Sequence, residues 1–210
     1  MLRITEIFYS LQGETSLMGW PTVFIRLTGC PLRCQYCDTA YAFSGGKKLS
    51  LEEIFQEISK YEKHIKPKIT VTGGEPLAQK NCLILLKALC DQGYQVSLET
   101  SGALDVSEVD PRVIKILDIK TPGSQESHRN LWENLAHMTP RDEFKFVICH
   151  REDYDWSVEQ LKNHELWRKG TVLFSPSATE LPAKTLADWI LADQLPVRFQ
   201  IQLHKILGVA

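Results

Sequence analysis

Three of the six cysteines in this chain of 210 residues, Cys30, Cys34 and Cys37, share one short segment, GCPLRCQYCDT. Thiols so close together point to metal or cluster ligation more than to a disulfide framework, in a chain long enough to fold around its own apolar core. Structural zinc takes four ligands, commonly in paired C-x2-C knuckles, and no second pair stands in this sequence. A 4Fe–4S cluster that only carries electrons uses about four protein thiolates. Three thiolates leave one iron open to a substrate or cofactor. A zinc loop completed by a distant histidine, or a redox pair at Cys34 and Cys37, are the competing readings. Cys82 and Cys90 lie on a helical pattern and Cys149 ends a strand pattern, so these three read as buried small hydrophobes.

Other chemistry-bearing residues cluster in turn-like segments. TGGEP (Thr72–Pro76), ETSG (Glu99–Gly102), DIKTPGS (Asp118–Ser124) and SPS (Ser175–Ser177) each follow a β-branched or apolar run, as Cys30 follows TVFIRL. The histidines at 64, 128, 137, 150 and 164 are scattered and read as surface or structural residues. His204, in FQIQLHK, is better placed, beside a polar strand face that can line a pocket or meet a partner chain.

These turns need elements to hold them. Strands are expected at Thr22–Leu27, Lys68–Thr72, Tyr94–Thr100, Val113–Lys120, Glu143–Ile148, Thr171–Ser175 and Val197–Leu203. A helix starting at Ser50 carries a capping box with Glu53 and an apolar stripe of Leu51, Ile54, Phe55 and Ile58. A second runs through Cys82, Leu85, Leu86 and Leu89 and stops at Gly93. Further helices are expected at Leu131–Met138, Val158–Trp167 and Leu186–Leu191. Alternating strands and helices make an α/β fold, a mostly parallel sheet covered by helices. The units are too few for an eightfold barrel, so a partial, open parallel β/α barrel is expected. Its strands would end at one edge, where ligands gather in such folds.

Composition limits the function classes. The chain is 43% apolar and 24% charged with a formal net charge of −2, which is ordinary for a globular protein and offers no nucleic-acid surface. No apolar run reaches the roughly 20 residues that span a bilayer, and Arg3 and Glu6 interrupt the N-terminal stretch, so no secretory signal and no membrane partner are expected. The cytoplasm is the expected compartment. One domain over 1–210 is expected, with an N-terminal extension (1–21), a core (22–203) and a short tail (204–210).

The C-x3-C-x2-C loop after a first strand, with Tyr36 before the third cysteine and GGEP at Gly73–Pro76, resembles the radical SAM superfamily. FYSLQGET, FIRLTGCPLRCQYCDT, TGGEPL, LETSG, LDIKTPGS and FQIQLHK together resemble one branch of it. That branch forms 7-carboxy-7-deazaguanine from 6-carboxy-5,6,7,8-tetrahydropterin, with loss of ammonia, on the route to queuosine. The resemblance implies a 4Fe–4S cluster on Cys30, Cys34 and Cys37, chelated at its open iron by S-adenosylmethionine. It implies a 5′-deoxyadenosyl radical that takes a substrate hydrogen and later returns it.

Residue roles follow from the same resemblance. Tyr36 lies near the adenine and Gly74 near the methionyl amino group. Cys37, Asp38, Ser101, Lys120 and Ser175 are further cofactor contacts, Asp38 alternatively supporting the loop. Thr39 is the protein ligand to Mg2+. Leu11, Gln12, Gly13 and Glu14 meet the pterin, Arg26 pairs its carboxylate, and Thr72 is a substrate contact or a plain strand-edge threonine. Glu99 is read as a buried structural carboxylate. The implied partners are a flavodoxin-like or other low-potential reductant and a second copy in a homodimer. Two segments depart from the pattern: ILGVA replaces an aromatic and polar tail that approaches the substrate, and DIKTPGS replaces a Ser-Pro-Lys element. The alternatives are a glycyl-radical activase and a non-catalytic iron–sulfur or zinc module.

Overall fold

The computed structural model describes residues 1–209; Ala210, the last residue of the expected tail, lies outside the described residues. Nine strands form one sheet: β1 (Leu2–Leu11), β2 (Pro21–Leu27), β3 (Lys47–Leu49), β4 (Lys68–Gly73), β5 (Val96–Thr100), β6 (Ile114–Ile119), β7 (Glu143–Ile148), β8 (Thr171–Pro176) and β9 (Arg198–Phe199). Their spatial order is β3-β1-β2-β4-β5-β6-β7-β8-β9. From β2 to β9 every neighbouring pair is parallel, whereas β1 runs antiparallel to both β2 and β3. The sheet does not close on itself, as expected of a partial barrel.

Helices cover its outer face: α1 (Leu51–Ser59), α2 (Cys82–Asp91), α3 (Arg151–Asn163) and α4 (Ala183–Ala192); a short α5 (Leu203–Leu207) follows β9. The capping box at the start of α1 is present in full, Ser50 accepting from the Glu53 amide and Glu53 from the Ser50 amide. Ile54 and Ile58 of α1 and Leu85, Leu86 and Leu89 of α2 are fully buried against the sheet.

Each parallel strand divides its side chains between two environments. Phe144, Phe146 and Ile148 of β7 are fully buried in the apolar layer. Their alternates Lys145 and Val147 line an inner cavity. The same division puts Thr72 of β4, Glu99 of β5 and Asp118 of β6 on the cavity side. Strand alternation therefore delivers the polar groups to one place.

Several expected elements differ from those observed. β1 was not anticipated as a strand; it pairs with β2 across the loop from Gln12 to Trp20 and with the distant β3. The strand expected at Val197–Leu203 shrinks to two residues. The Gln200 amide still donates to Phe174 O of β8 (3.0 Å) while its side-chain oxygen accepts from the Thr15 amide (2.8 Å), and Leu203 begins α5. The helix expected at Leu131–Met138 is a 3-10 helix over Trp132–His137. The helix expected at Val158–Trp167 starts earlier, at Arg151, and ends at Asn163, leaving Trp167 in a 3-10 turn.

Candidate active site

The loop after β2 carries the three cysteines, and four contacts fix its path. The Gly29 amide donates to Ala42 O (2.8 Å), the Glu75 amide to Gly29 O (2.7 Å) and the Gln35 amide to Ser124 O (3.1 Å). The Arg33 amide donates to Glu126 Oε1 (2.5 Å). Leu32, at 1% exposure, plugs the loop into the core. Cys30, Cys34 and Cys37 are free and partly exposed, while Cys82, Cys90 and Cys149 are free and buried, as the sequence reading had them.

All three loop thiols open on a cavity of about 310 Å3 at the C-terminal edge of the parallel strands. Burial pushes the Cys34 thiol up to about 11 and raises Cys30 as well; without a ligated group these sulfurs stay protonated at neutral pH. Among the described residues, no three His, Cys, Asp or Glu side chains converge as ligands of a single ion do. Three thiols spread along one wall fit a multi-iron cluster better than a preformed zinc knot. Two buried polar atoms in that wall, Tyr36 Oη and Asp118 Oδ1, have no partner among the described residues. They give a polar cofactor one hydroxyl and one carboxylate oxygen to engage.

Glu75 organises the next wall. Fully buried, it accepts from Thr100 Oγ1 (3.0 Å), the Ser101 amide (2.6 Å) and the Leu77 amide (2.9 Å). It thereby ties the diglycine turn to the end of β5. Gly74 lies so close to the cysteine loop that a Cβ would stand 2.4 Å from Gly29 O and 2.8 Å from Cys30 Cβ. Gly74 is thus needed for the packing of the two loops, whatever it also does for a cofactor.

The opposite wall is built on charge. Glu14 of the QGE loop is buried and accepts from Lys145 Nζ (2.5 Å) and Gln202 Nε2 (2.8 Å). Lys145 Nζ lies 3.7 Å from Asp118 Oδ2, and Asp118 Oδ2 lies 3.1 Å from Lys120 Nζ. The four side chains alternate in sign from the QGE loop towards Cys34 and Tyr36. Burial on its own would pull Lys120 down, but the Asp118 carboxylate more than offsets it and lifts the ammonium above the ordinary lysine range. Glu99 accepts from Gln12 Nε2 (3.2 Å) and Thr72 Oγ1 (3.1 Å), and burial raises its carboxyl above the usual range.

Arg26 projects from β2 into the cavity mouth. Its Nε donates to Glu6 Oε1 (2.7 Å), and its guanidinium lies over Phe8 and Tyr41, 5.6 and 5.8 Å from the ring centroids. Leu11, Ser101 and Ser175 also line the cavity, so all the residues singled out by the sequence meet there. Thr39 Oγ1 donates to Asp38 Oδ1 (2.9 Å). Asp38 Oδ2 accepts from Lys205 Nζ (2.7 Å). Burial opposes ionisation of Asp38, but the Lys205 contact prevails and holds its carboxyl at about 2.

Sequence reading missed Lys145, Glu75 and Lys205. For Lys145 a signal existed: in EFKFVI a lysine alternates with phenylalanines, which in a barrel strand marks the inner face. Gln202 belongs to the polar strand face expected to line a pocket and does line the cavity, whereas Lys205 carried no signal. His204, placed after that strand, instead stands in α5 with its ring against Gly13, where a Cβ would lie 2.0 Å from Nδ1.

An open parallel barrel with three thiols, a diglycine turn and a polar cavity at its strand ends defines the radical SAM class, and the family model "Radical SAM superfamily" matches residues 24–120. The chain belongs, within that class, to the 7-carboxy-7-deazaguanine synthase family. It is 45% identical over 209 residues to the 7-carboxy-7-deazaguanine synthase of Chlorobaculum tepidum, covering 98% of this chain and 94% of that one. It is 42% identical to the enzyme of that name from Koribacter versatilis, covering 98% and 96%. The crystal structure of QueE from Escherichia coli superimposes with a TM-score of 0.79 at 24% identity, covering 97% of this chain and 94% of that one, which bears out the fold. Membership makes the chain a radical SAM enzyme whose cofactors are a 4Fe–4S cluster and S-adenosylmethionine. It also sets aside the glycyl-radical activase and the non-catalytic metal module.

Proposed function

We propose that the chain converts 6-carboxy-5,6,7,8-tetrahydropterin to 7-carboxy-7-deazaguanine with release of ammonia. The observation that carries this reading is the meeting, in one cavity, of the three-thiol loop with Arg26, Glu14 and Gln12. When bound, the cluster and S-adenosylmethionine supply the radical that initiates the rearrangement.

The rest is positioning by this chain. Cys30, Cys34 and Cys37 hold the cluster. Tyr36, Asp38, Gly74, Ser101, Lys120 and Ser175 surround the cofactor. Arg26 has its Nε fixed by Glu6 and both terminal nitrogens free for a bidentate carboxylate. Glu14 accepts from the N–H edge of the pterin ring, beside Leu11, Gln12, Gly13 and Thr72. Thr39 offers a hydroxyl to Mg2+, a cation that takes oxygen ligands and keeps waters. A low-potential, flavodoxin-like reductant, a homodimer and a cytoplasmic location complete the reading; no described helix is long and apolar enough to cross a membrane.

The test is anaerobic reconstitution with iron and sulfide, followed by S-adenosylmethionine, a low-potential reductant and the carboxytetrahydropterin. Formation of 7-carboxy-7-deazaguanine supports the reading. Cleavage of S-adenosylmethionine unaffected by the pterin, with no deazaguanine formed, overturns it.

A further inference from the structure

Lys145 is a buried cation on the cavity wall. Its Nζ touches Glu14 Oε2 at 2.5 Å and lies 3.7 Å from Asp118 Oδ2; the side chains of Lys145 and Glu14 are 13% and 11% exposed. A charge so placed either binds ligand itself or fixes a neighbour. The geometry favours the second. Glu14 already has Gln202 Nε2 on its other oxygen at 2.8 Å, so the carboxylate is clamped at both ends in one orientation. Asp118 does not depend on Lys145, because Lys120 stands closer to it, at 3.1 Å.

Resting on the reading of Glu14 as the pterin acceptor, we propose that Lys145 is a specificity-determining positioning residue. It holds Glu14 as an oriented carboxylate, so that the cavity selects a heterocycle presenting paired N–H donors. The ion pair supplies what burial alone would remove. Burial favours the protonated acid at Glu14, and the Lys145 ammonium reverses that preference, leaving Glu14 below the ordinary carboxylate range. Glu99, on β5 with no cation in hydrogen-bond contact, is raised instead. The two carboxyls of one cavity are thus driven apart, one kept as an acceptor and the other inclined to hold its proton.

The test uses the reconstituted, S-adenosylmethionine-loaded protein and the stable oxidised probe 6-carboxypterin, with binding measured by calorimetry between about pH 5 and pH 7.5. Wild type should bind with little pH dependence. Lys145→Met should bind about ten- to a hundredfold more weakly, most weakly at the acid end and recovering as pH rises, because Glu14 then titrates within the range. Groups facing Glu14 from every neighbouring element are Lys145, Asp118, Glu99, Gln202, Gln12 and His204.

Glu14→Gln and the double variant Glu14→Gln/Lys145→Met separate these contributions. Both should bind equally weakly and without pH dependence, since Lys145 acts only through Glu14. The double variant also leaves no orphaned charge, which guards against a misfolded single variant. Additional loss in the double variant would mean that Lys145 touches the ligand directly and overturns the proposal. So would a pH dependence that survives removal of Glu14. If wild type itself binds no carboxypterin, the functional reading falls and this inference falls with it. If wild type binds and Lys145→Met matches it, only the inference falls.

Discussion

Lys205 and Asp38, 167 residues apart in the chain, meet with Nζ 2.7 Å from Oδ2. Asp38 directly follows the third cysteine, and Lys205 lies in α5. The C-terminal segment is therefore joined to the cysteine loop. Both side chains are substantially exposed, at 39% and 50%, so the pair stabilises the fold by about 1 kcal/mol or less. Lys205→Met should lower Tm by no more than about 2–4 °C. It should raise KM for the carboxytetrahydropterin severalfold by loosening the cavity rim. A large fall in Tm with KM unchanged would show that the contact holds the fold instead.

The cysteines divide cleanly by burial. Cys30→Ala, Cys34→Ala and Cys37→Ala should each abolish the cluster absorbance, with iron falling from about four per chain towards zero. Cys82 is fully buried in α2, so Cys82→Ala should keep its iron and lose only on the order of 1 kcal/mol of stability. Iron analysis and chemical denaturation distinguish the two classes. Full iron content in Cys34→Ala would remove that thiol from the ligand set.

Gly74→Ala should damage the cysteine loop as well as cofactor binding. Its Cβ would be 2.4 Å from Gly29 O, a distance relieved only by moving backbone. Iron loading and S-adenosylmethionine affinity should fall together, with stability reduced by about 1–3 kcal/mol. Normal iron with weakened cofactor binding alone would restore the simpler role expected from sequence.

Glu99 gives a pH dependence of definite sign. Burial raises its folded-state pKa above the ordinary 4.5, so between those two values the folded protein holds a proton that the unfolded chain has lost. Stability contributed by this group is present at low pH and declines as pH rises through the folded value. Glu99→Gln should therefore raise Tm at neutral pH, and the gain should vanish below about pH 4. A gain that grows on acidification would reverse the assignment.

Arg26→Lys keeps the charge and loses the planar fork. Turnover of the carboxytetrahydropterin should fall about ten- to a hundredfold, while S-adenosylmethionine cleavage without the pterin persists. Equal loss of both would mean that Arg26 serves the fold through Glu6, its 2.7 Å partner.

What the sequence conveyed and what it withheld follow a physical division. α1 was readable because Ser50 and Glu53 cap it locally, and β4 because its β-branched run stops at a diglycine. The cysteine loop and GGEP were readable because their spacing is itself the chemistry. β1 was not, since one partner, β3, lies up to 47 residues away and the loop from Gln12 to Trp20 leading to β2 is too long to read as a tight hairpin turn. Lys145 was passed over, although its alternation with Phe144 and Phe146 marks the cavity side of β7. Gln200 and Gln202 continued an alternating strand pattern, but their amides are drawn off by Thr15 and Glu14, contacts 185 and 188 residues apart.

Those last contacts form a seam where the Leu203 amide also donates to Gly13 O at 2.9 Å. Closing it joins nearly the whole length of the chain, and the entropic cost of so large a loop is met by a few hydrogen bonds rather than by a wide apolar face. Such a seam forms late in folding, after the parallel strands have assembled around their local crossovers. By the same accounting it opens first, as a small cooperative unit whose release leaves the barrel intact. Amide exchange at the Thr15 and Leu203 amides is therefore expected to be faster than in the central strands β4–β7, although Thr15 and Gln200 are themselves buried.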